Sequence, residues 1–303
     1  MRIKTSAIFA AACLALVSAI PATAQTLDRI KQTAFIKLGY LDDARPFSFA
    51  SSAGKPDGYS IDVCNYIVGE LKKELALPNL VSEYAPVAVD FRLFAIDNAR
   101  IDLLCSPSSV TLAKRKEASF SIPVFAGGVR AVMMTDAAAK LRAALEADAK
   151  AEKATPVWRG SPASRVLKGM TFAVVTGTTS EKWLESRRQA LKVDAKIEPV
   201  ADYHTGMRLL QEHKVDAFFG DGTAILAAID PAARKSYTVL DRQFTREPYA
   251  LGLAKGDDDF RAAVDRALSH LYASPEFAKL YAKWFGAYDE KSDLFFQWVT
   301  IPD

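Results

Sequence analysis

The amino-acid sequence predicts an α/β protein of two lobes with a ligand cleft between them. Two stretches, residues 35–105 and 171–220, each alternate short apolar runs with amphipathic runs of helical spacing. A stretch rich in alanine and lysine separates them. Alternating strands and helices favour a largely parallel sheet. Because each series is short of a full doubly wound sheet, we expect the ligand to bind between the two.

The first 24 residues have the composition of a cleavable secretory signal. Arg2 and Lys4 precede an apolar run, and the segment ends in the small residues Ala-Thr-Ala. The run is short for an uncleaved membrane anchor. We therefore predict that residues 1–24 are removed on export and that the mature chain begins near Gln25.

The mature chain is nearly neutral. Of the 39 lysines and arginines two lie in the signal, so 37 basic side chains remain against 36 acidic ones. This balance leaves no excess of positive charge that would indicate binding to nucleic acid or to an anionic membrane surface. No later segment has the length and apolarity of a membrane span. Length and an apolar content of 50% allow two domains, each with its own core.

In the first series the sequence predicts three strands that alternate with two helices. The longer helix, residues 58–75, places apolar side chains at helical spacing. The segments, in order, are FIKLGYL, GYSIDVCNYIVGELKKEL, NLVSEYAPV, FRLFAIDNA and RIDLLCS.

A solvated helix and a loop, residues 136–165, precede the second series. This series again alternates strand and helix, and it closes with a strand and two amphipathic helices, the second starting near Pro275. Its segments are MTFAVVTG, TSEKWLESRRQAL, AKIEPVA, HTGMRLLQEH and VDAFFG, then EPYALGLAKG and DDDFRAAVDRALSHLYASPEFAKLYAKWFG.

Two cysteines, Cys64 and Cys105, lie outside the signal. In an oxidising compartment they could form a disulfide. The alternative is two buried thiols that act as small hydrophobic residues, and both interpretations stay open because sequence does not give the separation of the two side chains.

A first candidate anion site follows the strand RIDLLC. The segment TLAKRKEA is predicted to begin a helix capped by Thr111 or by Ser109. Hydroxyl and N–H groups at a helix start favour an anion, and Lys114 and Arg115 add positive charge. A capped surface helix with solvated lysines is the alternative. The hydroxyl groups are those of Ser106, Ser108 and Ser109.

Two strand ends of the second series carry matching groups. In VVTGTTSEKW, Thr178 and Thr179 follow a strand and a glycine turn and could donate to a carboxylate, or form an ordinary helix cap. The segment lacks the glycine spacing of a phosphate-binding loop. Asp221 follows a buried strand at the edge where α/β sheets bind ligands, and it could pair with an ammonium group, although Asp before Gly is also a common turn.

The sequence holds no familiar catalytic or metal-binding motif. His204, His213 and His270 form no HExxH pattern, and neither CxxC nor GxSxG occurs. We therefore expect no enzyme activity, no metal and no cofactor. His204 opens a predicted helix, where it is either a cleft residue or a cap or surface residue.

Taken in order, these segments resemble the periplasmic substrate-binding proteins of polar amino-acid ABC importers, solute-binding protein family 3, from about Phe35 to the C-terminus. The resemblance implies a type II periplasmic binding protein, in which two hinged lobes close on one amino acid and present it to a membrane permease. It also implies a periplasmic monomer. The similar pieces are RPFSFASSAGKPDGYSIDVCNYI, IDLLCSPSSVTLAKRKEASFSIPVF, FAVVTGTTSEKW, VDAFFGDGTAIL and EPYALGLAKGDDDFRAAVDRALSHLYASPEFAKLYAKWFG.

The resemblance further implies that both ends of the mature chain build lobe 1. Residues 25–127 and 248–303 would form lobe 1, and residues 128–247 would form lobe 2. Residues 136–165 would be an insertion that lengthens lobe 2.

Ligand contacts carried over from the family fall on five positions of this sequence. In relatives the α-carboxylate meets a basic residue and hydroxyl or N–H donors, and the α-ammonium meets an aspartate. The family usually has an arginine, with a bidentate fork, where this chain has Lys114, which offers a point charge. Arg115 is adjacent, but on a helix one residue turns a side chain about 100° away. The five positions are Ser106, Ser109, Lys114, Thr179 and Asp221.

The resemblance gives a divided indication for an acidic ligand. Relatives that take acidic amino acids commonly read GYR where this chain has Gly39, Tyr40 and Leu41. Arg92 does match an arginine of those relatives, and His204 falls near a histidine that they use.

Two other functions stay open beside the receptor. One is an exported enzyme on the same fold, similar to cyclohexadienyl dehydratase, which would need a general acid in the cleft. The other is the sensory lobe of a signalling or cell-wall protein, which would need a membrane segment or an appended domain.

Overall fold

A computed structural model of the chain describes residues 26–146 and 162–302. The predicted signal, residues 1–24, and the middle of the predicted insertion lie outside the described residues. Within the two described ranges, no helix has both the length and the apolarity needed to cross a membrane.

Helices and strands alternate through most of the described chain. The helices are α1 (Thr26–Thr33), α2 (Tyr59–Glu74), α3 (Arg92–Asp97), α4 (Ala139–Glu146), α5 (Pro162–Leu167), α6 (Thr179–Leu191), α7 (Tyr203–Gln211), α8 (Gly222–Ala228), α9 (Asp258–Ala273), α10 (Pro275–Phe285) and α11 (Glu290–Val299). The strands are β1 (Phe35–Tyr40), β2 (Asp43–Ala44), β3 (Ser48–Ala50), β4 (Pro56–Asp57), β5 (Val81–Pro86), β6 (Leu103–Ser109), β7 (Ser119–Phe120), β8 (Phe125–Gly127), β9 (Val129–Met134), β10 (Thr171–Val175), β11 (Lys196–Val200), β12 (Ala217–Asp221), β13 (Tyr237–Val239) and β14 (Glu247–Leu253).

Lobe 1 is built on a mixed sheet with the order β5-β1-β6-β14-β7, and β8 also pairs with β14. Strand β1 runs parallel to β5 and β6, whereas β14 runs antiparallel to β6, β7 and β8. The core holds fully buried side chains from the N-terminal helix α2, such as Tyr59 and Ile67, together with Phe260 and Phe277 from the C-terminal helices. Both ends of the described chain therefore contribute to one core.

Lobe 2 is a five-stranded sheet with the order β11-β10-β12-β9-β13. Strands β11, β10 and β12 are parallel, and β9 runs antiparallel to β12 and β13. Apolar clusters cover both faces, one around Phe172 and Phe219 and the other around Phe218 and Met207. Every residue of β12 is buried because apolar clusters cover both faces of the strand, and its residues before Asp221 are accordingly apolar or glycine.

The chain crosses between the two sheets at Gly128 and again between β13 and β14. Gly128 has φ +155°, and a Cβ there would overlap the carbonyl oxygen of Thr245. A Cβ on Gly127 would lie 2.5 Å from the ring of Tyr249. The two adjacent connections therefore run too close together for any side chain at these glycines.

Two local features differ from the expectations. The predicted helix over TLAKRKEA is wrong, because only a 3-10 turn, Lys114–Lys116, forms there. The Thr111 hydroxyl accepts the Lys114 N–H over 3.2 Å, and the chain enters β7 at Ser119, which leaves no room for a longer helix. Helix α11 lies outside the predicted elements; Phe296 is buried, whereas the neighbouring Leu294 and Trp298 are exposed, so its apolar residues do not follow one helix face.

A disulfide joins helix α2 to strand β6. Cys64 and Cys105 lie with their Cα atoms 6.1 Å apart and their sulfurs 2.09 Å apart, and both residues are fully buried. The bridge holds the strand that leads directly into Ser106, the first serine of the candidate site.

Candidate functional site

The amine of Lys114 lies close to the end of β6. Its Nζ donates to the carbonyl oxygen of Ser109 over 3.0 Å, and the side chain is half-buried. Burial, followed by the nearby charges of Arg92 and Lys182, lowers the pKa of Lys114 to about 8, and Glu247 opposes the shift. The amine is a cation at neutral pH, although its surroundings favour the charged form less than water does.

The three serines of β6 are placed differently from one another. Ser106 and Ser108 are buried, at 2% and 9% exposure, and Ser109 is half-buried. Ser109 lies opposite Tyr249 and Ser108 opposite Ala250 in the pairing of β6 with β14. Ser109 thus reaches Lys114 through its backbone carbonyl rather than through a donor.

The start of helix α6 carries two threonines with different tasks. Thr178 is the N-cap, since its hydroxyl oxygen accepts the Glu181 N–H over 3.2 Å. Thr179 instead donates its hydroxyl to Oε2 of Glu247, on strand β14, over 2.9 Å. Helix α6 and strand β14 are therefore linked by a hydrogen bond from a hydroxyl to a carboxylate.

Asp221 ends β12 and caps helix α8. Its Oδ1 accepts the backbone N–H of Thr223 over 3.0 Å and of Ala224 over 2.9 Å, as well as the Thr223 hydroxyl. Its Oδ2 accepts the Tyr249 hydroxyl over 2.8 Å and faces the Gly128 N–H at 3.5 Å. Asp221 is 8% exposed, so its carboxylate is buried beside the crossover at Gly128.

Two tyrosines enclose this aspartate. The Tyr203 hydroxyl accepts the backbone N–H of Asp221 over 3.1 Å. Burial raises the pKa of Tyr249 well above its usual value, and the adjacent Asp221 adds to the effect. Burial likewise raises the pKa of Tyr203. Both phenols therefore stay neutral and keep their hydrogen at physiological pH.

The remaining predicted positions divide into two groups. Arg92 is close enough to Lys114 to lower its pKa, and burial lowers the pKa of Arg92 itself. Arg115 and His204 are exposed, the first on the 3-10 turn and the second on the first turn of α7. Arg92 thus belongs to the same electrostatic neighbourhood as Lys114, whereas Arg115 and His204 show no contact that joins them to it in the described chain.

Four neighbours of the site were not predicted from the sequence. The sequence predicts the segment EPYALGLAKG as a strand, and in it Glu247 and Tyr249 alternate with Pro248 and Ala250. A polar residue at every second position before a buried run is the signal that could have indicated Glu247 and Tyr249. The four neighbours are Glu247, Tyr249, Tyr203 and Thr223.

Comparisons with known proteins show which family this chain resembles. The family profile of the bacterial extracellular solute-binding proteins, family 3, matches residues 36–287. The "L-glutamate/L-aspartate-binding protein" of Pseudomonas aeruginosa is 31% identical over 291 residues, 94% of this chain and 89% of the relative. The "Glutamate/aspartate import solute-binding protein" of Escherichia coli is 27% identical over 269 residues, 88% of this chain and 82% of the relative.

A solved structure gives the same answer for the fold. An ancestral amino acid-binding protein, described as a precursor of cyclohexadienyl dehydratase, matches with a TM-score of 0.66 at 24% identity, covering 86% of this chain and all of that one. The two-lobed α/β fold predicted from the sequence is confirmed, and it is that of the type II periplasmic binding proteins. The chain belongs to the bacterial extracellular solute-binding proteins, family 3.

Proposed function

We propose that this solute-binding protein takes an acidic amino acid, L-glutamate or L-aspartate, into the cleft between its lobes and presents it to the membrane permease of an ABC importer. The supporting observation is the charge arrangement. Asp221 supplies a buried acceptor beside the crossover, and Arg92 and Lys182 lie close enough to Lys114 to lower its pKa, so the three form a cluster of positive charges around Lys114.

Each group of the ligand has a partner in this arrangement. The α-ammonium would donate to Asp221, whose negative charge is held in place by two backbone N–H groups and the Tyr249 hydroxyl. The α-carboxylate would meet Lys114 and the Thr179 hydroxyl. A second carboxylate, on the ligand side chain, would meet Arg92 and Lys182. The names of the relatives from Pseudomonas aeruginosa and Escherichia coli, which give glutamate and aspartate, favour the same ligands.

Three charged contacts approach micromolar affinity only when all of them form together. A hydrogen bond to a charged group contributes about 1.5–3 kcal/mol net. Micromolar binding requires about 8 kcal/mol. The ammonium and the two carboxylates therefore have to be bound together, which is why the proposal needs all three partners and not Lys114 alone.

We also propose that the site binds its ligand without converting it, and that the protein is exported to the periplasm. A general acid must carry a proton that it can give up. Within the described residues, each contact of Asp221 comes from a donor, so the carboxylate is an acceptor on both oxygens. This arrangement suits an ammonium ligand better than proton transfer to a leaving group.

The proposal is tested by measuring thermal stability and titration heats with L-glutamate, L-aspartate, L-glutamine and glutarate, which lacks the ammonium. A ligand at 100 times its dissociation constant should add about 2.7 kcal/mol of stability. We expect this for the two acidic amino acids and a much smaller effect for the other two. Absence of binding by either acidic amino acid would contradict the proposal.

Variants of Asp221 separate its two roles. Asp221→Asn keeps an oxygen for the N–H groups of Thr223 and Ala224 but loses the charge, so we expect a folded protein that no longer binds the amino acids. Asp221→Ala loses the cap as well, which costs a further 1 kcal/mol or so of stability. Full affinity in the asparagine variant would remove Asp221 from the site. Consumption of prephenate or arogenate by the wild type would instead favour the enzyme.

A further inference from the structure

A carboxylate of the protein itself accepts a hydrogen bond from one of the donors proposed for the ligand. The hydroxyl groups of Thr179 and Thr245 donate to the two oxygens of Glu247, each over 2.9 Å. Glu247 is the first residue of β14, and Thr179 is the first residue of α6. The Thr179 bond therefore joins lobe 2 to the strand that carries the chain back into lobe 1.

The same carboxylate acts on other groups of the cleft. Glu247 raises the pKa of Lys114, against the effects of burial and of Arg92. It also contributes to the raised pKa values of Tyr203 and Tyr249, for which burial is the main cause. Glu247 thus lies within electrostatic reach of both the positive cluster and the tyrosines that enclose Asp221.

We infer that Glu247 competes with the α-carboxylate of the ligand for the Thr179 hydroxyl and thereby sets the affinity of the site. A hydroxyl has one hydrogen to donate, so Thr179 cannot serve Glu247 and a ligand carboxylate together. Binding therefore requires Glu247 to give up this bond. The inference rests on the proposed function, because it needs a carboxylate ligand at Thr179.

The inference predicts that removing the competitor strengthens binding. In Glu247→Ala the Thr179 hydroxyl is free in the unliganded protein, so the dissociation constant for L-glutamate should fall by about tenfold, the lower range for one charge-assisted hydrogen bond. Glu247→Gln, which keeps an acceptor but loses the charge, should give a smaller gain. Titration calorimetry at pH 7 measures both.

A matched control removes charge without touching Thr179. Glu117 also raises the pKa of Lys114, but it is exposed and lies just beyond the 3-10 turn. Glu117→Gln should change the dissociation constant by less than about twofold, since an exposed charge is screened by solvent. An equal gain from Glu117→Gln and Glu247→Gln would mean that general charge, and not competition, is responsible, and would overturn the inference.

A double variant tests the shared hydroxyl directly. With Thr179→Val already in place there is no donor to compete for, so adding Glu247→Ala should bring no further gain. A gain that persists in this background, or weaker binding in either Glu247 variant, would overturn the inference. Weaker binding would indicate that the Thr179–Glu247 bond instead helps to bring the lobes together.

The proposed function and the role of Glu247 can be refuted separately. If the wild type binds no acidic amino acid, the proposed function is wrong and the inference falls with it. If the wild type binds but the Glu247 variants do not bind more tightly, only the inference is wrong. Circular dichroism and thermal unfolding check that each variant is folded, and the glutamine variant keeps the test valid should the alanine variant unfold.

Discussion

Raising the pH from 7 to 9 should weaken ligand binding through Lys114. Burial, followed by the charge of Arg92, lowers the pKa of Lys114 to about 8 from the usual 10.5 in the unliganded protein. A ligand carboxylate beside the amine favours the charged form and raises this pKa in the complex. Binding above pH 8 therefore takes up a proton, and affinity falls as the pH rises.

The magnitude follows from the fraction of Lys114 that is already charged. At pH 7 about nine-tenths of the unliganded protein carries the proton, and at pH 9 about one-tenth does, given the pKa of about 8. If the complex stays protonated throughout, the dissociation constant rises by about tenfold across this range, or about 1.4 kcal/mol. Between pH 6 and 7 the change should be small.

The same shift acts on folding with the opposite sign. An unfolded chain has the usual lysine pKa of 10.5, so between about pH 8 and 10.5 it holds a proton at Lys114 that the folded, unliganded protein has lost. Stability rises with pH wherever the unfolded state binds more protons. The contribution of Lys114 to the free energy of unfolding is therefore least favourable below pH 8 and improves above it.

The assay is titration calorimetry with L-glutamate at pH 7, 8 and 9 on the wild type and on Lys114→Arg. The arginine stays charged over this range, and it is also the residue that the family usually has here. The ammonium group of the ligand titrates equally in both proteins, so the ratio of the two dissociation constants isolates Lys114. Parallel pH profiles in the two proteins would refute the assigned pKa and the role of this amine.

Two further predictions concern stability. Cys64→Ala with Cys105→Ala removes a bridge between residues 41 apart in sequence, which should cost about 4 kcal/mol in urea unfolding; a loss below about 1 kcal/mol would show that the bridge does not constrain the unfolded chain. Gly128→Ala should cost about 2 kcal/mol or more, because its Cβ would overlap the Thr245 carbonyl, whereas Gly54→Ala, also at positive φ but in open space, should cost only about 1 kcal/mol. Equal losses in the two glycine variants would mean that the crossover accommodates a side chain.

The regular elements could be predicted because local patterns agree with their tertiary surroundings. Strand β12 is apolar up to Asp221 and is buried on both faces, and α6 begins directly after its cap, Thr178. The turn at Lys114 could not be predicted, because TLAKRKEA has good helix formers throughout. The short path from β6 to β7 overrides this preference, so only three residues take up a 3-10 turn.

The contacts of the site are harder to predict from sequence than the helices and strands, because the residues that contact each other come from distant parts of the chain. Thr179 and Glu247 are 68 positions apart, and Asp221 and Tyr249 are 28 apart. Their contacts depend on where β14 crosses back into lobe 1, which no local pattern fixes. The family resemblance indicated Thr179 and Asp221 as positions, but it could not give the glutamate and the tyrosine that hold them.

The place of β14 has a consequence for how the chain folds as it is synthesised. This strand lies between β6 and β7, so an inner strand of lobe 1 comes from near the end of the chain, while the strands of lobe 2 all lie within residues 129–239. Contacts between segments so far apart in sequence form slowly. Lobe 2 can complete its sheet on a partial chain, whereas lobe 1 has to wait for Leu253. Glu247 and Tyr249 arrive with that same strand, so the cleft is completed in the step that completes the lobe.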